Sequence, residues 1–126
     1  MSHFTQVATK INNKEMLLAC LKELGYEVEE KTFIKGYRGQ ETAADIAVRM
    51  KQGYDIGFVL GADGTYSFVT DWFGVQGTSE QEFTTKVQQQ YALTTVMEQV
   101  RRQGFNVVGQ ERDASGQIRL TVRRWV

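Results

Sequence analysis

One histidine, His3, and one cysteine, Cys20, are the chain's whole stock of imidazole and thiol. A metal centre needs several imidazole, thiolate or carboxylate groups converging on one ion, and this pair is too sparse to build one. His3 reads as a polar residue at a strand start. Cys20 falls on an apolar helical stripe and reads as a small core residue rather than a nucleophile. Acid–base chemistry needs carboxyl groups that face one another. Glu29 and Glu30 are neighbours in a strand and point to opposite faces, while Glu80 and Glu82 occupy a first helical turn, where carboxylates complement the helix dipole. No catalytic, metal-binding or cofactor-binding residue is assigned on these grounds.

Three short segments carry groups suited to binding. Lys35-Gly36-Tyr37-Arg38-Gly39 contains the G-x-x-G form that clamps nucleic-acid backbone between two helices in KH domains. Strands flank it here, so the glycines read first as turn residues of a hairpin. Lys35, Tyr37 and Arg38 still place two cations and a ring in an exposed loop, a candidate contact site. In Asp71-Trp72-Phe73-Gly74, where a strand leaves the sheet, the aromatic pair either anchors a long helix or forms a patch that docks a partner, with Asp71 and Trp72 as candidates. The last strand sets Arg119, Thr121, Arg123 and Trp125 on one face. Arginines beside a tryptophan suit a phosphate- or carboxylate-bearing partner through bidentate bonds and stacking, and equally protect an edge strand from aggregation.

Periodicity supplies the elements that hold these segments. Two-residue alternation predicts a strand over 3–11, and Asn12 with Glu15 forms a capping pair before Met16, Leu17, Cys20, Leu21 and Leu24 at helical spacing. Gly25 ends that helix, a hairpin follows across the Arg38 loop, and strands over 54–60 and 66–72 join at the 61–64 turn. Ser79 and Glu82 open a second helix reaching Gly104, long enough that a kink or overhang is expected near 88–90. Strands over 105–112 and 117–125 close the chain. Both helices end on glycine plus an aromatic residue and lead into a hairpin, which predicts duplicated β-α-β-β(-β) units over about 3–61 and 65–126. The expected fold is a single α+β domain, with a mostly antiparallel sheet of about seven strands, two helices on one face and the other face open. A glyoxalase-like pairing of βαβββ units is the second choice.

At 126 residues the chain can bury one sizeable core, and twelve glycines with no proline indicate many turns. Basic and acidic side chains cancel at fifteen each, which disfavours nucleic acid as partner, since phosphate contacts need a sustained basic surface. The distribution is uneven: residues 1–100 carry nine basic and thirteen acidic groups, net −4, and residues 101–126 carry six arginines against two acids, net +4. A lone cysteine excludes an internal disulfide, and no apolar run approaches the roughly 18 residues of a membrane span. No membrane insertion and no basic-then-apolar secretion signal are expected.

Leu24-Gly25-Tyr26, Tyr54-Asp55-Ile56-Gly57-Phe58, Asp71-Trp72-Phe73-Gly74, Gln90-Tyr91-Ala92, Ile118-Arg119-Leu120 and Arg124-Trp125, with the opening Met1-Ser2-His3-Phe4, stand in an order that resembles one family over the whole chain. It is the hypothetical chloroplast reading frame thirty-five family of algal plastids and cyanobacteria. The resemblance implies a cyanobacterial cytoplasm or a plastid stroma, supplies no catalytic residues, and through bacterial relatives found beside AAA-type ATPases points to an accessory role. The expected function is a non-catalytic accessory or adaptor protein that uses no cofactor and binds a protein through the open sheet face, the Arg38 loop and the Trp72 region. A nucleic-acid-binding module using the C-terminal arginines and a glyoxalase-like small-ligand domain are the alternatives.

Overall fold

Alternating apolar residues make the strands, and apolar spacings of three and four make the helices. The computed structural model describes residues 3–124. In chain order it contains β1 (Thr5–Ala8), α1 (Lys14–Glu23), β2 (Glu27–Lys35), β3 (Glu41–Arg49), β4 (Ile56–Leu60), β5 (Tyr66–Thr70), α2 (Glu80–Arg102), β6 (Phe105–Arg112) and β7 (Ile118–Arg124). Single 3-10 turns sit at Tyr37–Gly39 and Trp72–Gly74. The α+β class, the two helices and the seven strands agree with the sequence reading, and every strand pair is antiparallel. The first helix is capped by Asn13 rather than Asn12: Asn13 Oδ1 accepts the Met16 N–H at 3.0 Å. Ser79 caps α2 as expected, accepting the Glu82 N–H at 3.2 Å. Gly25 and Gly104, both at φ +86°, terminate the two helices in the left-handed conformation open to glycine.

The strands divide into two sheets rather than one. Five form a sheet in the order β1-β5-β4-β3-β2, and β6-β7 stand apart as a hairpin. Helix length explains the division. The 23 residues of α2 extend about 34 Å at 1.5 Å per residue, whereas the five-residue strands β4 and β5 extend only about 17 Å. Phe83 and Val87 in the first turns of α2 are buried on the sheet, Tyr91 still packs against that core, and the helix then continues unbroken to Arg102. The last hairpin docks on that overhang, tied there by the Gln89 amide donating to the Gly116 carbonyl and by Arg112 donating to Gln89 Oε1 at 3.1 Å.

Both helices cover one face of the large sheet. Leu17, Cys20 and Leu21 of α1 and Phe83 and Val87 of α2 meet Ile46, Val48, Ile56, Phe58 and Phe68 in the main core. The opposite face, expected to be open, is capped instead. Ile34, Ala44, Ala47 and Val69 form a second buried cluster there, flanked by Phe4 and Val59. The cause is the length of the β2–β3 hairpin: each strand has nine residues, but only Ile46 to Val48 find partners on β4. The unpaired end of the hairpin folds back across the sheet, with Lys31 at φ +51° marking the bend in β2. Gly57 makes the close approach possible, since a Cβ there would lie 2.9 Å from that of Ala44.

Candidate functional site

Chemistry-bearing side chains are dispersed. Among the described residues no group of three or more His, Cys, Asp or Glu side chains gathers in a way that would hold a metal ion. Cys20 is fully buried, its thiol 3.5 Å from the Val87 carbonyl oxygen, and burial pushes its pKa up to about 12. A thiol held protonated and walled off from solvent is a poor nucleophile. Native protein at mild alkaline pH is therefore expected to resist iodoacetamide, and to take up one equivalent only after denaturation. Mass spectrometry before and after addition of denaturant checks this, and rapid native labelling would refute it. The Glu29–Glu30 pair is separately engaged, Glu30 meeting Lys14 at 2.5 Å and Glu29 meeting Arg49 at 3.1 Å, and Glu80 and Glu82 stand in the first turn of α2 as expected.

The Arg38 loop is a tight turn pressed onto the capped face. The Gly36 N–H donates to the Gln40 carbonyl at 2.7 Å, and a Cβ on Gly36 would lie 2.8 Å from the Phe4 ring. Arg38 adopts φ +54°, a conformation uncommon for a residue with a side chain, and its guanidinium sits 5.2 Å from the Tyr37 ring centroid. Lys35 and Arg38 are exposed and Tyr37 is half-buried. The second segment splits by direction. Asp71 is buried and its Oδ1 accepts the Phe73 N–H at 3.2 Å, while Oδ2 and the Trp72 indole N–H have no partner among the described residues. Trp72 turns inward, its ring centroid 6.2 Å from those of both Phe68 and Phe83. Phe73 turns outward and is 81% exposed, more than any other large apolar side chain described. Of the aromatic pair, then, one anchors the long helix and the other is presented to solvent.

Arg119 and Arg123 are exposed on β7, and Ile118 and Leu120 on the same strand face α2 across a shallow cavity of about 320 Å³. Trp125 lies outside the described residues. The candidate residues therefore occupy three places: the loop with Lys35, Tyr37 and Arg38 on the capped face, the turn with Asp71 and Trp72 beside the helix-covered face, and the hairpin with Arg119 and Arg123. They do not converge. Two residues outside the assigned candidates stand out instead, one weighed in the sequence only as half of the aromatic pair and one not considered there. Phe73 is one; the other is Arg49, which donates to the Phe33 carbonyl, Asp55 Oδ2, Glu29 Oε2 and Thr32 Oγ1 at 2.9–3.1 Å and so staples the bend of β2 to β3. No described helix is long and apolar enough to cross a membrane.

Residues 20–121 match a family described as a protein of unknown function, DUF1257. Proteins called "Uncharacterized protein ycf35" are similar to this chain in three algae: that of Cyanophora paradoxa is 35% identical, that of Guillardia theta 33% and that of Pyropia yezoensis 32%. Each comparison covers 99% of this chain and 98% of the relative. No solved structure matches the chain. Family match and relatives together span the Arg38 loop, the aromatic turn and the start of β7, so the chain belongs to the ycf35 family, the DUF1257 proteins of unknown function.

Proposed function

We propose that this chain is a non-catalytic accessory protein of the plastid stroma or cytoplasm that docks a protein partner on the Phe73 turn, with the Arg38 loop as a second contact. What supports the reading is the pairing of an exposed ring with a rigid base. Phe73 is 81% exposed, yet Asp71 caps the turn beneath it and Trp72 is packed on Phe68 and Phe83. An aromatic side chain held outward loses little conformational freedom on binding and supplies the large contact area typical of interface anchors. Arg38, held at φ +54° with its guanidinium over Tyr37, is similarly preorganised for a carboxylate.

The test is recovery of partners from native lysate at low salt, comparing the wild-type chain with Phe73→Ser and Arg38→Ala. Trp72 is unsuitable as a probe because truncating it would open the core. Phe73→Ser is expected to leave stability within about 0.5 kcal/mol of wild type, as for other exposed positions, and to reduce the recovered partner at least tenfold. Unchanged recovery by both variants would remove the proposal.

A further inference from the structure

Among the described residues two strand edges are unpaired and oppositely charged. Both α1-β2-β3 and α2-β6-β7 run from a helix through a glycine at φ +86° into an antiparallel hairpin. In the first, β3 is hydrogen-bonded on both sides, to β2 and β4; in the second, β7 is bonded, among the described residues, to β6 alone. A two-stranded hairpin leaning on one helix is a marginal structure, and a third strand is the usual remedy. The free edge of β7 carries Arg119, Arg123 and Arg124, all exposed. These arginines repel another β7 and select an acidic edge. One is present on the same chain: β2 is the terminal strand of the large sheet and exposes Glu27, Glu29 and Glu30, of which Glu29 and Glu30 already meet Arg49 and Lys14 while Glu27 has no cation within ion-pair distance among the described residues.

We propose that two copies of this chain associate reciprocally, β7 of each adding antiparallel to the edge of β2 of the other. Charge complementarity identifies the occupant. Residues 101–126 carry net +4 and residues 1–100 net −4 on a chain whose total is zero, so the best complement to the basic hairpin is the acidic portion of a second copy. The usable run of β2 is Glu27 to Glu30, because Lys31 at φ +51° breaks the straight edge after it. One register satisfies both faces. Glu27 stands opposite Arg123 and Glu29 opposite Thr121, with Arg119 on its diagonal; on the other face Val28, half-buried, meets Val122, which is 41% exposed in the single chain. The remaining edges fit less well: β1 has only four residues and no charge, and β6 is interrupted by a register shift between Val107 and Gly109. This surface does not include Phe73, so its failure and that of the adaptor reading are separable.

A charge swap tests the register. Arg123→Glu sets an acid against Glu27 of the other copy, and Glu27→Arg sets a base against Arg123, so each variant alone repels itself at both reciprocal contacts. A mixture of the two restores an opposite pair at each contact. Sedimentation velocity on the wild-type chain at low salt should show a dimer that weakens at high salt. Each variant should dimerise at least tenfold more weakly, and their equimolar mixture should recover the wild-type dimer. Unchanged circular dichroism for both variants shows that they fold. A monomeric wild-type chain, a dimer indifferent to both substitutions, or a mixture that stays monomeric would each overturn the proposal. So would a monomer whose hairpin arginines instead bind an oligonucleotide.

Discussion

Phe83→Ala is expected to lower the unfolding free energy by about 3–5 kcal/mol, the range for deleting a fully buried ring. The size of the effect follows from position. Phe83 is fully buried, and its ring centroid lies 5.6 Å from Phe68, 5.9 Å from Tyr26 and 6.2 Å from both Phe58 and Trp72. Those four rings come from two sheet strands, the segment after α1 and the aromatic turn, so one side chain joins every layer of the main core. Ring pairs in tilted and edge geometries add roughly 0.5–1.5 kcal/mol beyond area burial, and the cavity left by alanine cannot collapse around four rigid neighbours. Against a total stability of about 5–15 kcal/mol for a domain of this class, the loss is at least about a fifth of the whole. Urea unfolding is the measurement, with Phe83→Leu as the control expected to recover more than half of the loss. A midpoint within error of wild type for Phe83→Ala would mean that the long helix is not seated as described.

Local signals in the chain reported local structure well. Ser79 and Glu82 marked the start of α2, Gly104 its end and Gly25 that of α1, and alternation located the strands. Partner choice between strands carries no such signal. Residues 105–112 and 117–125 read as sheet strands with equal strength whether they extend the large sheet or stand apart, and only the length of α2 decides. The capped face escaped detection for a related reason. Nothing in the alternation of 27–35 announces that Lys31 turns left-handed, or that an alanine at 44 and a glycine at 57 let the hairpin fold across. The aromatic turn was half legible. Period-two alternation from Phe68 through Thr70 carries Trp72 to the helix-covered side, and its continuation would turn Phe73 outward, but β5 ends at Thr70 and the pattern lapses there. Arg49 was invisible as a staple because three of its partners lie 16 to 20 residues away on β2 and become neighbours only through the register of β2 on β3, while the fourth, Asp55, is brought back by the connection between β3 and β4.

Arg49→Met is expected to loosen the capped face without unfolding the main core. Methionine keeps most of the apolar stem while removing every donor, so the substitution isolates the staple. Its loss frees the Phe33 carbonyl and Thr32 hydroxyl to find water and leaves Asp55, whose side chain is 23% exposed, without its cation. Charge-assisted hydrogen bonds at partly exposed sites place the cost at roughly 2–3 kcal/mol, below that of breaking a fully buried pair. Arg49→Lys should fall between, since one ammonium cannot span four acceptors. The acid limb of the stability curve gives an independent check. Hydrogen bonding and attraction from Arg49 hold the Glu29 carboxyl below its ordinary value of 4.5. Glu29 therefore contributes stability above pH 4.5 that is lost as pH falls through its lower folded-state value. In Arg49→Met that slope should flatten, slightly, because Glu29 is 58% exposed. Amide exchange separates this from general destabilisation: protection should fall across residues 31–44 while α1 and the first turns of α2 keep theirs. Uniform loss across both helices, or no change in 31–44, would show that the hairpin is held over the sheet by Ile34 and its apolar neighbours alone, and that the guanidinium is an onlooker.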